Sequence, residues 1–327
     1  MTSEEPLGPA EPSLATLAGD SLCARARRLL LATRPAFAPA SVAPVLIGTA
    51  WGYRTAGHID WAVALLALFA TLLVHLGANV LNDVADDLGG TDRINAERIF
   101  PYTGGSRFIQ NGILSSHEMA VWSVTLLGAA VLLGIALIEL RGAGILVFGL
   151  IGVALGVSYS LPRIQLAARG IGEAAIAVAF GVLPVTGAAW LQSGRVDGAS
   201  ILISVPVSLW VAAILLMNEV PDRMADARGG KATLVVRLGT DATRRVYLGL
   251  QLSACAAFLL AGAVRLIPWW IAIASLLLVP GALSAGRGIR EPLDRARLTG
   301  SIRTTLGLHT AGSVLLLAAV LVAALSR

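Results

Sequence analysis

The side chains of this sequence best suited to chemistry lie in two short acidic segments. The first, NVLNDVADDLGGTD (Asn79 to Asp92), places four aspartates and two asparagines within fourteen residues. The second, NEVPDRMADARGGKATL (Asn218 to Leu234), repeats its spacing, because Asn82-x-x-x-Asp86 and Asn218-x-x-x-Asp222 stand 136 residues apart. On a helix turning about 100° per residue, Asn79, Asn82, Asp83 and Asp86 share one face about 100° wide, with Asp87 at its edge. Asn218, Asp222 and Asp226 step by about 40° each and cover a similar face of a second helix.

Two facing stripes of oxygen donors repel and stay partly desolvated unless a cation lies between them. Oxygen-only ligands select a hard metal, and Mg²⁺ binds through a few carboxylates while phosphates of a substrate complete its octahedron. Arg98, Arg107, Arg163, Arg228 and Lys231 belong to segments expected close by and suit a highly anionic phosphate group. A single Asp-rich helix end is ordinarily an exposed cap or an ion-pair site. Two at like ends of like helices call for a joint purpose. Gly89, Gly90, Gly104, Gly105, Gly229 and Gly230 suit loops whose N–H groups approach an anion, although helix termination accounts for them equally well.

The elements that must hold these stripes are membrane helices. The chain has 327 residues, 56% hydrophobic and 14% charged, with a mean hydropathy of +0.77, which no ordinary soluble domain shows. Apolar segments long enough to cross a hydrocarbon layer about 30 Å thick recur throughout. Nine spans are expected, near 38–56, 61–82, 118–139, 142–161, 171–191, 199–219, 244–264, 267–286 and 304–325. The fold class is all-α, a polytopic bundle of about nine helices around a central cavity. Spans 2 and 6 are four helices apart, so the acidic ends come to the same side, as a parallel internal repeat requires.

Cytoplasmic loops collect Lys and Arg. With the N-terminus inside, only Arg54, Arg141, Arg195, Arg265 and Arg327 of the 25 Lys and Arg fall on the outer side or within spans. The protein is therefore expected in the cell membrane, multi-pass, with a cytoplasmic N-terminus. The formal charge of +5 describes a basic inner rim, suited to lipid headgroups or an anionic substrate rather than nucleic acid. Residues 1–28 are expected as a disordered tail without a cleaved signal peptide, and 29–327 as one transmembrane domain. Cys23 and Cys255 are too few for a disulfide framework or metal cluster. His58, His75, His117 and His309 show no metal-ligand spacing and read as structural. No obligate protein partner is evident.

These residues resemble the UbiA-type intramembrane aromatic prenyltransferases. The resemblance is carried by Asn82-Asp83-x-x-Asp86 with Thr91-Asp92, by Asn218-x-x-x-Asp222-x-x-x-Asp226, by YSLPRIQLAARGIGE (Tyr159 to Glu173) and by TLVVRLG at 233–239. The form N-x-x-N-D-x-x-D and the loop PYTGGSRFIQNGILS look most like the 1,4-dihydroxy-2-naphthoate polyprenyltransferases of menaquinone synthesis. The same segment also reads Asn79-x-x-x-Asp83-x-x-x-Asp87, so the ligand set stays open. Asn82, Asp86 and Asp92, with Asp83 supporting, are preferred, and Asp87 is the acid expected to tolerate replacement.

The resemblance implies two Mg²⁺ ions held by Asn82, Asp83, Asp86, Asp92, Asn218, Asp222 and Asp226, with Asp86 and Asp222 central. They would bind a polyprenyl diphosphate while Arg98, Arg107, Arg163, Arg228 and Lys231 neutralise its remaining oxygens. Lewis-acid help to the departing diphosphate would free an allylic cation, with Tyr159 a candidate to stabilise it through its ring. An aromatic acceptor would then attack, losing its carboxyl group where it is dihydroxynaphthoate. A 4-hydroxybenzoate or homogentisate type of acceptor is the alternative. A secondary transporter is the rival of a different class, and a CDP-alcohol phosphotransferase lacks its D-G-x-x-A-R string here.

Overall fold

The structure is a computed structural model that describes residues 10–161 and 163–326. Among the described residues it is all-helical. In chain order the helices are α1 (Leu22–Ala32), α2 (Pro39–Ala56), α3 (Trp61–Leu88), α4 (Thr91–Ile94), α5 (Ser116–Arg141), α6 (Ile145–Ser160) and α7 (Gly172–Ala177). They continue with α8 (Leu183–Ser193), α9 (Gly198–Arg228), α10 (Leu234–Ala263), α11 (Trp269–Ala274), α12 (Val279–Gly286) and α13 (Arg295–Leu325). A π-helical turn, Val178–Val182, joins α7 to α8.

Seven of these segments are long and apolar enough to cross a membrane, or eight if the pair Leu22–Ala32 and Pro35–Ala56, bent by 50°, is one span. The expected count of nine is thus not reached. The difference lies in the fourth expected span, 142–161, whose helix α6 has 16 residues and reaches only ~24 Å, short of ~30 Å of hydrocarbon. The expected disordered tail also differs. Residues 1–9 lie outside the described residues, but Leu17 is buried in a cluster with Val80, Val84 and Phe108, and α1 begins at Leu22.

Local chemistry sets the long helices. Asp60 caps α3 by accepting from Val63 N, and Asp197 caps α9 by accepting from Ser200 N. Ser115 and Glu118 form a reciprocal capping box that starts α5, satisfying N–H groups that the first turn leaves free. At the same end as the α3 cap, Arg141 Nη2 donates to Asp60 Oδ2 at 2.7 Å and Gln192 Oε1 accepts from Asp60 N at 2.8 Å. These ties join α3, α5 and α8 where they turn back.

Packing in lipid depends on close fit more than on exclusion of water. Gly52 of α2 lets α8 approach, since a Cβ there would sit 2.5 Å from Gln192 Cβ. Gly312 of α13 receives the indole of Trp210, whose carbons come within 2.5 Å of where its Cβ would stand. Around Trp210 a solid core of Ile47, Ile203, Val207 and Phe258 fills the half of the bundle where α9 begins. The half where α3 and α9 end is hollow.

Candidate functional site

Both acidic helices run toward that hollow half. His75, Asn79, Asn82 and Asp86 of α3 face the cavity, and so do Val211, Asn218, Asp222 and Asp226 of α9. The cavity encloses about 1430 Å³ of atom-free space, its open mouth included. Phe180, Val211, Ile214 and Leu215 make its deep part mostly apolar, with His75 among them, and its mouth is acidic. The equal spacing of the two motifs therefore corresponds to a real juxtaposition, with α4 closing between them: a Cβ on Gly229 would stand 2.9 Å from Thr91 Oγ1.

Each acid has a distinct set of partners. Asp222 is held rigidly, Oδ1 accepting from Asn95 Nδ2 and Thr103 Oγ1 at 2.8 Å each and Oδ2 from Gly104 N at 3.2 Å. Asp83 Oδ2 accepts from Ser106 N at 3.0 Å, and its Oδ1 lies 3.6 Å from Arg34 Nη1. Asp86 Oδ1 accepts from Lys231 Nζ at 2.6 Å, and Asp226 Oδ1 is 3.7 Å from the same ammonium. Burial first, then the Asp86 and Asp83 charges, push the Asp92 carboxyl up to about 7. Burial opposes the Lys231 charge, yet Asp86 and Asp226 raise its pKa above the ordinary value.

Several buried oxygens here accept no hydrogen bond: Asp92 Oδ2, Asn95 Oδ1 and Asn218 Oδ1 of cavity-lining residues, and Asp83 Oδ1 behind the lining, which has only the Arg34 ion pair. Such atoms are costly unless something binds them. Two of them converge on Gly105, where a Cβ would meet Asp92 Oδ2 at 2.6 Å and Asp83 Oδ1 at 3.1 Å. With φ at +74° the position favours glycine on backbone grounds too. Among the described residues no three His, Cys, Asp or Glu side chains stand ready as a metal cage. The set is nevertheless chemically suited to Mg²⁺, being all oxygen, part amide and part carboxylate, with unpartnered acceptors facing a shared space.

Not every expected residue reaches the cavity. Lys231 does, but Asp83, Arg98, Arg107, Arg163 and Arg228 do not line it. Arg98 Nε donates to Glu11 Oε1 at 2.8 Å, Arg107 Nη1 donates to the Asp92 carbonyl at 2.6 Å, and Arg163 and Arg228 are exposed. Tyr159 lines the cavity beside α7, as expected of its motif, whereas Pro162 lies outside the described residues. Asp87 turns away from the cavity altogether. It is buried, with Oδ2 accepting from Ser116 Oγ at 2.8 Å and Oδ1 from Arg93 Nε at 3.2 Å, so it ties α3 to α5 and is not the free-standing acid that the helical wheel suggests.

Two features escaped sequence reasoning. Arg34 lines the cavity from the break between α1 and α2, with φ at +56° and its guanidinium 5.2 Å from the centroid of the Phe37 ring. The Arg-Pro interruption of an apolar run was its only signal. Glu173 and Glu219 are both buried and leave carboxyl oxygens without hydrogen-bond partners, with Glu219 facing the cavity.

The profile of the UbiA prenyltransferase family matches residues 41–299. The chain belongs to the UbiA prenyltransferase family. This UbiA protein is an enzyme that transfers prenyl groups, which sets aside the transporter reading. It is 31% identical to the 1,4-dihydroxy-2-naphthoate octaprenyltransferase of Mycobacterium tuberculosis, over 86% of this chain and 94% of that one. It is equally 31% identical to the enzyme of the same name from Escherichia coli, over 86% and 92% of the two chains. A UbiA homologue from Archaeoglobus fulgidus, solved bound to DMAPP and Mg²⁺, shares the UbiA fold with a TM-score of 0.63 at 17% identity, over 89% of this chain and 99% of that one.

Proposed function

We propose that the protein transfers a polyprenyl group from a polyprenyl diphosphate to 1,4-dihydroxy-2-naphthoate, with Mg²⁺, at the cytoplasmic face of the cell membrane. The observation that carries this reading is the meeting of two acidic stripes, with orphaned oxygens between them, at the mouth of an apolar chamber. The naphthoate acceptor is supported by the names of the bacterial relatives. The donor is supported by the Archaeoglobus fulgidus homologue solved with GPP and Mg²⁺.

Asn82, Asp83, Asp86 and Asp92 would hold one Mg²⁺, and Asn218, Asp222 and Asp226 a second. Mg²⁺ bound there supplies Lewis-acid neutralisation of the diphosphate, worth several kcal/mol. Asn95, Thr103 and the Gly104 N–H hold Asp222 in one orientation, so little reorganisation is needed when the donor arrives. Lys231 exchanges Asp86 for donor oxygens, and Arg34, which also lines the cavity, is a second cation for them. Arg98 and Arg107 act by bracing the loop from Asn95 to Arg107, not by touching phosphate.

The donor's allylic C–O bond breaks with its electron pair passing to the diphosphate. Leu215, which packs with Tyr159 around Gly172, excludes water there, and Tyr159 offers its ring face to the electron-poor carbon. The ring carbon bearing the acceptor's carboxylate forms the new C–C bond, and that carboxylate leaves as CO₂. The test is mass spectrometry of products from purified protein in nanodiscs, given octaprenyl diphosphate, Mg²⁺ and three acceptors. Prenylated, decarboxylated naphthoquinol is expected. Product from 4-hydroxybenzoate or homogentisate alone would overturn the acceptor.

A further inference from the structure

One ring contact deep in the chamber measures the donor. His75 and Phe180 meet edge to face, with ring centroids 4.9 Å apart and planes at 89°. Ser41 Oγ lies 2.7 Å from His75 Nδ1, and Ser41 and His75 are both buried. Ser41 stands 15 residues from the outer end of α2, His75 14 from that of α3, Phe180 13 from that of α8 and Val211 13 from that of α9. At 1.5 Å per residue all four occupy one level, about 20 Å from the outer helix ends.

That level is where the hollow stops. His75, Phe180 and Val211 line the cavity. Beyond them Trp210, Val207 and Ile203 belong to a core with no exposure at all. Phe180 is placed by the π-helical turn Val178–Val182, a kind of turn that recurs at functional sites. The next residue, Gly181, is pressed against Ser208 of α9 so closely that no Cβ would fit, which fixes the turn and the direction of the Phe180 ring.

The same geometry gives a length. His75 precedes Asp86 by eleven residues and Val211 precedes Asp222 by eleven. Eleven residues rise ~16 Å, room for about three extended five-carbon units between the acidic mouth and the ring pair. We infer that the His75–Phe180 pair, braced by Ser41, is the end wall of the prenyl chamber and sets how many isoprenoid units the protein holds straight behind the reacting carbon. Units beyond that number turn aside. Both residues lie ~16 Å of helix rise from the acidic residues that would hold the diphosphate, so they act on specificity and not on chemistry.

The inference rests on the proposed prenyl transfer and is tested separately from it. kcat/KM is measured for donors of one to eight isoprenoid units, with wild type, Phe180→Ala and Phe180→Trp in the same nanodiscs. For wild type kcat/KM rises with each unit up to about three and then levels, because each added unit buries more apolar surface until the wall is reached. The break moves to a longer donor by at least one unit in Phe180→Ala and to a shorter one in Phe180→Trp. Transfer of the one-unit donor stays within about twofold of wild type in both variants, which shows that they fold; Phe180→Leu replaces Phe180→Ala if the latter does not. A break at the same length in all three proteins, or no break, overturns the end wall. Absence of transfer by wild type with every donor overturns instead the function on which it rests.

Discussion

Lys231 Nζ lies 2.6 Å from Asp86 Oδ1, so that a cation from the loop after α9 crosses to the acidic stripe of α3. The same ammonium is 3.7 Å from Asp226 Oδ1, and it therefore balances both motifs. On the proposed reading a diphosphate held beside these carboxylates is the group best able to take the Lys231 ammonium from them. Lys231→Gln is expected to lower kcat/KM for the donor by about 10²-fold, equivalent to ~2.7 kcal/mol, with kcat changing less than KM. Steady-state kinetics at saturating acceptor check this, and an unchanged donor KM would confine Lys231 to a structural role.

Asp222 and Asp87 look alike in sequence and differ in place. Asp222 is presented to the cavity by three donors, whereas Asp87 is buried on the opposite side against Ser116, Arg93 and Gln110. Asp222→Ala and Asp86→Ala should each reduce turnover at least about 10³-fold; Asp86→Ala should leave the melting temperature nearly unchanged, whereas Asp222→Ala should lower it because buried Asn95 and Thr103 lose their acceptor. Asp87→Ala should keep turnover but destabilise the protein by about 1 kcal/mol, because half-buried Ser116 and Gln110 and the exposed Arg93 lose their shared acceptor. Turnover per folded molecule would stay within a few-fold. Thermal melts in nanodiscs alongside kinetics separate the two behaviours.

The contrast shows where sequence reasoning reached its limit. Apolar length located the helices, and the 136-residue spacing located the two stripes, because periodicity and span count depend on the chain alone. Asp83 and Asp87 lie only about 40° apart on a wheel referred to Asn79, and neither lines the cavity, because Ser106 and Arg34 hold Asp83 while Ser116 of α5 claims Asp87. The arginines failed for a similar reason. Proximity in sequence counted Arg98 and Arg228 near phosphate, but Arg98 folds back onto Glu11 and Arg228 points to solvent. Arg34 is distant from both motifs in sequence and reaches Asp83 only through the 50° bend that follows it.

Gly105 tests the space between two acids directly. A methyl group there would stand 2.6 Å from Asp92 Oδ2 and 3.1 Å from Asp83 Oδ1, in the gap where both oxygens lack hydrogen bonds. Gly105→Ala is expected to weaken Mg²⁺ activation by at least about tenfold. The positive φ alone should lower stability by only about 1 kcal/mol. Mg²⁺ titrations of activity and of melting temperature check both parts, and normal Mg²⁺ dependence would exclude the gap as a metal position.

pH should act on the metal-free and metal-loaded protein in opposite directions. Burial and the neighbouring Asp86 and Asp83 charges raise the Asp92 carboxyl to about 7 from the ordinary 3.8. Between those values the folded chain holds a proton that the unfolded chain has released. Its contribution to stability therefore falls as pH rises from about 4 to about 7. In EDTA the melting temperature should accordingly climb as pH is lowered from 8 to 6. Mg²⁺ requires the carboxylate form, so its stabilising increment should be largest at pH 8 and shrink through pH 7 as protons compete. Melting curves in EDTA and in Mg²⁺ across that range decide it, and a Mg²⁺ increment independent of pH would remove Asp92 from the ligand set.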